Sequence, residues 1–168
     1  MRIKNLIIIS LLLMFSSCFV HKGQIKDGKC RPKNPNFDLL KIPFRKTENL
    51  TFNKVYTLND LKKIGIGFYD DGRIILVKNY DYEKQNYDLI TPFFMESKNW
   101  NEPDYIGYWR VDEGMLKTEY FSCSNSGDYI KGNAKVVGDT LFFERDCSKS
   151  PIKSEKCFDK YILSDIEF

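Results

Sequence analysis

One histidine, His21, is present in 168 residues, and that scarcity removes more chemistry than any other feature of the chain. Ser-His-Asp and Cys-His nucleophilic sets and histidine-based metal catalysis all need an imidazole inside a folded site. His21 instead falls in a stretch of Lys, Gly, Pro and Asn with little to bury. Long apolar runs are lacking too. The longest, Leu6 to Phe15, is about ten residues, short of the ~18 that a membrane-spanning helix needs. Neither a sustained basic stripe nor an acidic tail occurs, and the net charge is only +3, which argues against nucleic acid as a partner. Close cysteine pairs of the zinc-binding kind are missing, the tightest spacing being Cys147 to Cys157, so no metal is expected. Gly65-x-Gly67 precedes a turn and not a helix, which leaves no phosphate-binding loop and no expected cofactor.

What the chain does have begins at its N-terminus. Arg2 and Lys4 precede the apolar run, and Ser16-Ser17 precede Cys18, the layout of an export signal. Phe15-Ser16-Ser17-Cys18 resembles the lipobox of bacterial lipoproteins. That resemblance implies cleavage before Cys18, lipid on its sulfur and an acylated new amino terminus. In that family an Asp after the cysteine directs retention at the inner membrane. Phe19 stands there in this chain, so the resemblance implies an outer-membrane location in the bacterial cell envelope. Each buried methylene of an acyl chain contributes about 0.8 kcal/mol, so three chains hold a protein stably at a membrane. The expected organisation is a signal over 1–17, a lipidated and flexible tether over 18–50, and one β domain over 51–168. Removing the signal leaves 151 residues and, with Arg2 and Lys4 gone, a charge of +1. A chain of that size builds one real core.

With Cys18 taken by lipid, Cys30, Cys123, Cys147 and Cys157 remain, an even number in a chain bound for an oxidising compartment. Two disulfides are expected, with three possible pairings.

From about Thr51 short stretches rich in Tyr, Phe, Ile and Val alternate with turn residues, the pattern of an antiparallel β protein. Three hairpins can be named: Ile66–Tyr69 with Arg73–Val77 across Asp70-Asp71-Gly72, Ile106–Val111 with Met115–Phe121 across Asp112-Glu113-Gly114, and Tyr129–Val137 with Thr140–Glu144 across Gly138-Asp139. Alternation puts Ile130, Gly132, Ala134 and Val136 on an inner face, with Leu141, Phe143, Trp109, Leu116, Thr118 and Tyr120 on the inner faces of their strands. Trp109 is expected in the core. A last strand, Lys160–Leu163, brings the total to about eight, and Leu89 to Met95 is a further candidate. Leu58 to Ile64 hints at a helical turn capped by Asn59 or Asp60. In a meander, Cys123 and Cys147 are separated by a strand, two spacings of about 4.8 Å, too far to bond. Cys147 should therefore pair with Cys157 across a short connection, leaving Cys30 to pin the tether to Cys123.

Phe68-Tyr69-Asp70-Asp71-Gly72-Arg73, the stretch Gly107 to Leu116 and Gly138-Asp139-Thr140-Leu141 together resemble the lipocalin-like domains of small bacterial lipoproteins, over roughly Phe52 to Leu163. The family implies an up-and-down barrel whose mouth accepts a small apolar ligand. Strand patterning alone admits an open barrel or a sandwich equally.

Carboxylates at Glu102, Asp104 and Glu113 are the only candidates for paired acid chemistry, and in Asn/Pro/Gly-rich turns they read as ordinary loop residues. A non-enzymatic, monomeric protein is the expectation. Aromatics reach 15% of the chain, and several lie outside strand interiors. Tyr80, Tyr82, Tyr87 and Trp100, with Trp109 and Tyr120 on the strands, form the candidate ligand-binding set, suited to an apolar or glycan ligand. The alternative is a filled core and an envelope protein as partner.

Overall fold

A computed structural model describes residues 22–26, 29–59, 62–78, 80–81, 86–87, 105–124, 127–146 and 156–168. Two short strands, β1 (Gly23–Lys26) and β2 (Lys29–Pro32), form an N-terminal hairpin, followed by a 3-10 turn at Asp38–Lys41. The remaining elements are β3 (Lys54–Leu58), β4 (Ile64–Phe68), β5 (Arg73–Lys78), β6 (Tyr80–Asp81), β7 (Asn86–Tyr87), β8 (Tyr105–Asp112), β9 (Met115–Ser122), β10 (Asp128–Val137), β11 (Thr140–Asp146) and β12 (Lys156–Glu167). Strands β3, β4, β5, β8, β9, β10, β11 and β12 each pair antiparallel with the next, and β12 returns to β3 to close an eight-stranded barrel. The sheet is therefore neither open nor a sandwich. β6 and β7 make a separate two-stranded ladder within the β5–β8 connection.

The three hairpins read from turn chemistry are present. Glu113 (φ 52°) and Gly114 (φ 74°) supply the two left-handed residues of the β8–β9 turn, the geometry that matches strand twist. Leu58 and Ile64 belong to strands, so the helical turn expected between them is replaced by a hairpin connection in which Asn59 (φ 50°) and Lys62 (φ 46°) are left-handed. The other proposed cap, Asp60, and the strand candidate Leu89–Met95 lie outside the described residues.

Eight strands enclose just enough space for side chains to fill. Tyr56, Ile66, Phe68, Ile74, Leu76, Trp109, Leu116, Ala134 and Leu141 form the interior, joined by Leu50 from the segment before β3. Ile75 and Val77 are buried as well, on the outer face, where they meet Val55 and Ile166 together with the half-buried Tyr69 and Phe168. The C-terminal end of β12 reaches that outer face after a register shift between Leu163 and Glu167, at which Ser164 Oγ donates to the carbonyl of Val55 (2.7 Å).

A second cover explains the other doubly buried strands. The segment expected as a flexible tether is, from Gly23 onward, laid along the outside of the barrel. Phe37 meets Tyr108 and Tyr129 edge-on, each at 4.9 Å. The Leu39 amide donates to Glu119 Oε2 (2.9 Å), and Arg110 Nε donates to the Ile42 carbonyl (2.9 Å). Phe37, Leu39 and Leu50 are buried. Asp38 is held to a pKa of about 2 by hydrogen bonds and charge from Lys131 and Lys41. Cys30 and Cys123 are joined (Cα–Cα 5.6 Å), the pairing expected from the meander.

Candidate binding site at the barrel mouth

Strand direction sorts the connections onto two ends. Asp70–Gly72, Glu113–Gly114 and Gly138–Asp139 close one end tightly, while β3, β5, β9 and β11 finish, and β4, β8, β10 and β12 begin, at the other. The end of tight turns is the base, and the opposite end, whose strands are joined by the longer stretches of sequence, is the mouth.

Aromatics pack together at the base. Trp109 is 0% exposed; its Nε1–H donates to the Tyr69 carbonyl (2.9 Å), Phe52 stacks on it at 5.8 Å, and Phe44 meets it edge-on at 5.1 Å. Trp109 is thus a core residue, as its strand face indicated, and its burial removes it from the ligand-binding set.

Tyr120 is placed differently. It lies toward the mouth, half-buried, packed against the interior cluster and 6.0 Å from Tyr105. Phe143 and Tyr161, 5.4 Å apart, are also half-buried against that cluster. These four rings form the mouth-side interior wall. Alternation along β9, β8, β11 and β12 brings them to one space, because each shares its inward face with a residue deeper in the barrel: Leu116, Trp109, Leu141 and Leu163.

Burial pushes the Tyr161 phenol up to about 12, aided by the charge of Asp159 and by Tyr120, and burial with Tyr105 nearby also raises Tyr120. Both hydroxyls therefore stay protonated at neutral pH as donors and acceptors. Lys78 ends β5 on the alternation face of Ile74 and Leu76; desolvation lowers its pKa although solvent still reaches it. It has no ion-pair partner among the described residues. Arg145 pairs with Asp159 at 2.8 Å on the mouth-side parts of β11 and β12. Aromatic walls, phenolic hydroxyls and the Lys78 ammonium, unpaired among the described residues, can hold an apolar body and orient a polar end.

Of the other residues singled out from the sequence, Tyr80 and Tyr87 pair across β6 and β7. Tyr82, Trp100, Glu102, Asp104, His21, Cys18 and Cys147 lie outside the described residues. Glu113 is an exposed turn residue. Cys157 is disulfide-bonded, to a partner outside the described residues. No cluster of three His, Cys, Asp or Glu suited to a metal ion occurs among the described residues.

Sequence reasoning named Tyr120 but not Tyr105, Phe143 or Tyr161 as wall residues. The signal was there: each continues the alternation that identifies core residues in its strand. It also missed Glu119, which is 1% exposed on the outward face of β9, with Oε2 on the Leu39 amide and Oε1 without a hydrogen-bond partner among the described residues. Glu119 lies beside a cleft of about 570 Å³ between the N-terminal segment and β9–β10, lined also by Asp38, Asp128, Tyr129 and Lys131.

No protein-family model matches the chain, and comparison with curated proteins and with solved structures finds no match.

Proposed function

We propose that this protein is a non-catalytic binding module of the bacterial cell envelope, anchored by lipid at Cys18 and taking a small apolar or glycan ligand at the barrel mouth. One observation carries the reading. Trp109 is fully buried toward the tight-turn end, whereas four aromatic rings toward the other end, Tyr105, Tyr120, Phe143 and Tyr161, pack on the same interior and remain half-exposed. The anchor reading is supported by the resemblance of residues 15–18 to a lipobox and by the even number of cysteines left without Cys18, and it implies an outer-membrane monomer.

Native mass spectrometry of residues 19–168, made in an oxidising compartment, tests the binding reading. A reproducible extra mass that disappears on denaturation, and that is lost in Tyr120→Ala or Phe143→Ala protein of unchanged fold, is the expected result. A bare monomer mass from every preparation favours the second reading, a filled barrel that presents its loops to an envelope protein. That reading draws its support from the aromatic packing around Trp109. The intact mass of full-length protein from bacterial envelopes tests the anchor separately, since cleavage before Cys18 and acylation each change it.

A further inference from the structure

Glu119 carries a buried oxygen that no described residue satisfies. Oε2 accepts the Leu39 N–H (2.9 Å), whereas Oε1 has no hydrogen-bond partner among the described residues. At 1% exposure the carboxylate has little bulk water to turn to. A buried acceptor left so is costly, and the remedy is a donor brought from outside the chain. Glu119 helps line the cleft of about 570 Å³ between the N-terminal segment and β9–β10, a volume within the range of small-molecule sites.

The cleft is dipolar along its length. Lys22 and Lys33 stand at the open end of the β1–β2 ladder, where the Lys33 N–H donates to the Lys22 carbonyl (2.9 Å). The neighbouring Gly23 lies against the Phe121 ring, and Phe121 pairs with Tyr129. Glu119 pairs with Lys131 two residues further toward the base, about 7 Å along the strand. Lys131 is already bound to Asp38. At the hairpin end Lys22 and Lys33 outnumber Asp128, which begins β10; at the other end Glu119 and Asp38 outnumber Lys131. Neither Lys22 nor Lys33 has an ion-pair partner among the described residues. The side-chain amides of Asn34 and Asn36 also line the cleft and match the donor and acceptor of a peptide group.

We propose that this cleft is a second binding site, separate from the mouth and independent of the anchor, for the zwitterion of a short peptide. The terminal ammonium donates to Glu119 Oε1, and the terminal carboxylate lies against Lys22 and Lys33. An α-amino acid holds both charges on one carbon, too close for ends set on different rungs of the sheet. A dipeptide parts them by about 3.5 Å more of extended chain and supplies the amide that the two asparagines match.

The test titrates the full-length, isotope-labelled protein in non-ionic detergent with Ala-Ala, N-acetyl-Ala-Ala and Ala-Ala amide. It reads the nuclear magnetic resonance signals of the Asn36 and Leu39 amides, which are held by Tyr129 and Glu119 of the cleft lining. Ala-Ala should shift both signals saturably. The acetylated peptide, which lacks the ammonium, should bind about tenfold or more weakly, and the amide, which lacks the carboxylate, about threefold more weakly. Glu119→Gln keeps an acceptor for the Leu39 N–H. It should lower the affinity for Ala-Ala to that for the acetylated peptide and leave the acetylated peptide unaffected. Lys22→Gln combined with Lys33→Gln, both at exposed positions, should likewise abolish the preference for Ala-Ala over its amide. Near-ultraviolet circular dichroism checks that each variant keeps its fold. Absence of a saturable shift with Ala-Ala, equal binding of the three peptides, or a Glu119→Gln loss that falls equally on the acetylated peptide overturns the proposal. Phosphoethanolamine binding as tightly as Ala-Ala overturns the assignment to peptides.

Discussion

Gly107 of β8 lies directly against the main-chain carbonyl of Glu119 in β9: a Cβ at Gly107 would overlap that oxygen. The obstacle is backbone within a paired strand and not the tip of a movable side chain, so the clash is relieved only by parting the two strands. Gly107→Ala should therefore destabilise the protein by about 3 kcal/mol, at the upper end of overpacking costs, read as a lower denaturant midpoint.

Trp109→Phe separates the aromatic base from the mouth. It removes the Nε1–H bond to the Tyr69 carbonyl and leaves a void among Phe44, Phe52 and Phe68, for a loss of about 2 to 3 kcal/mol. Affinity for a ligand held at Tyr120 and Tyr161 should be unchanged at temperatures where the variant is folded. An affinity loss equal to that of Tyr120→Ala would place the ligand at the base.

Replacing Cys30 and Cys123 together by serine opens a cross-link between residues 93 apart in sequence. The chain-entropy model gives about 4.6 kcal/mol for a loop of that size. The loss should be local as well as global. Amide exchange at Leu39, whose N–H is held by Glu119, should accelerate before that of Trp109, whose amide is bonded to the Gly72 carbonyl.

The Tyr161 phenol gives the fold an alkaline limit. Its pKa rises from 10.0 when free to about 12 in the folded protein. The unfolded chain therefore releases that proton first as pH increases. The associated stability is complete below about pH 10 and is lost between about pH 10 and 12, by about 2.7 kcal/mol in all. Denaturant midpoints across that range should fall, and Tyr161→Phe should flatten the part of the slope that this residue contributes.

Turn chemistry made three hairpins legible because Asp-Gly, Glu-Gly and Gly-Asp pairs are local signals that need no tertiary partner. β3 was missed although Val55-Tyr56-Thr57 is a β-prone run between two asparagines; five residues are too few for alternation to stand out when both Val55 and Tyr56 are buried. The N-terminal cover was missed for another reason. Phe37, Leu39 and Leu50 are isolated apolar residues in a polar stretch, and their burial depends on an outward face of β8–β10 that alternation reads as wet. The continuous run Ile74-Ile75-Leu76-Val77 did hold the clue that strands of this barrel are covered outside as well as inside. Tyr105 and Tyr161 were readable as inward-facing, but nothing in a single strand says how far along the barrel axis a residue sits.

Closure of the barrel by β12 on β3, with Tyr161 opposite Leu58, makes the last strand of the barrel the partner of the barrel's first. Until residues 156–167 leave the ribosome, a growing chain has two unsatisfied strand edges, on β3 and β11, and no local pairing can relieve either. Loss of even a dozen C-terminal residues would therefore not trim the protein but leave it permanently unfinished, with two adhesive edges where the finished ring has none.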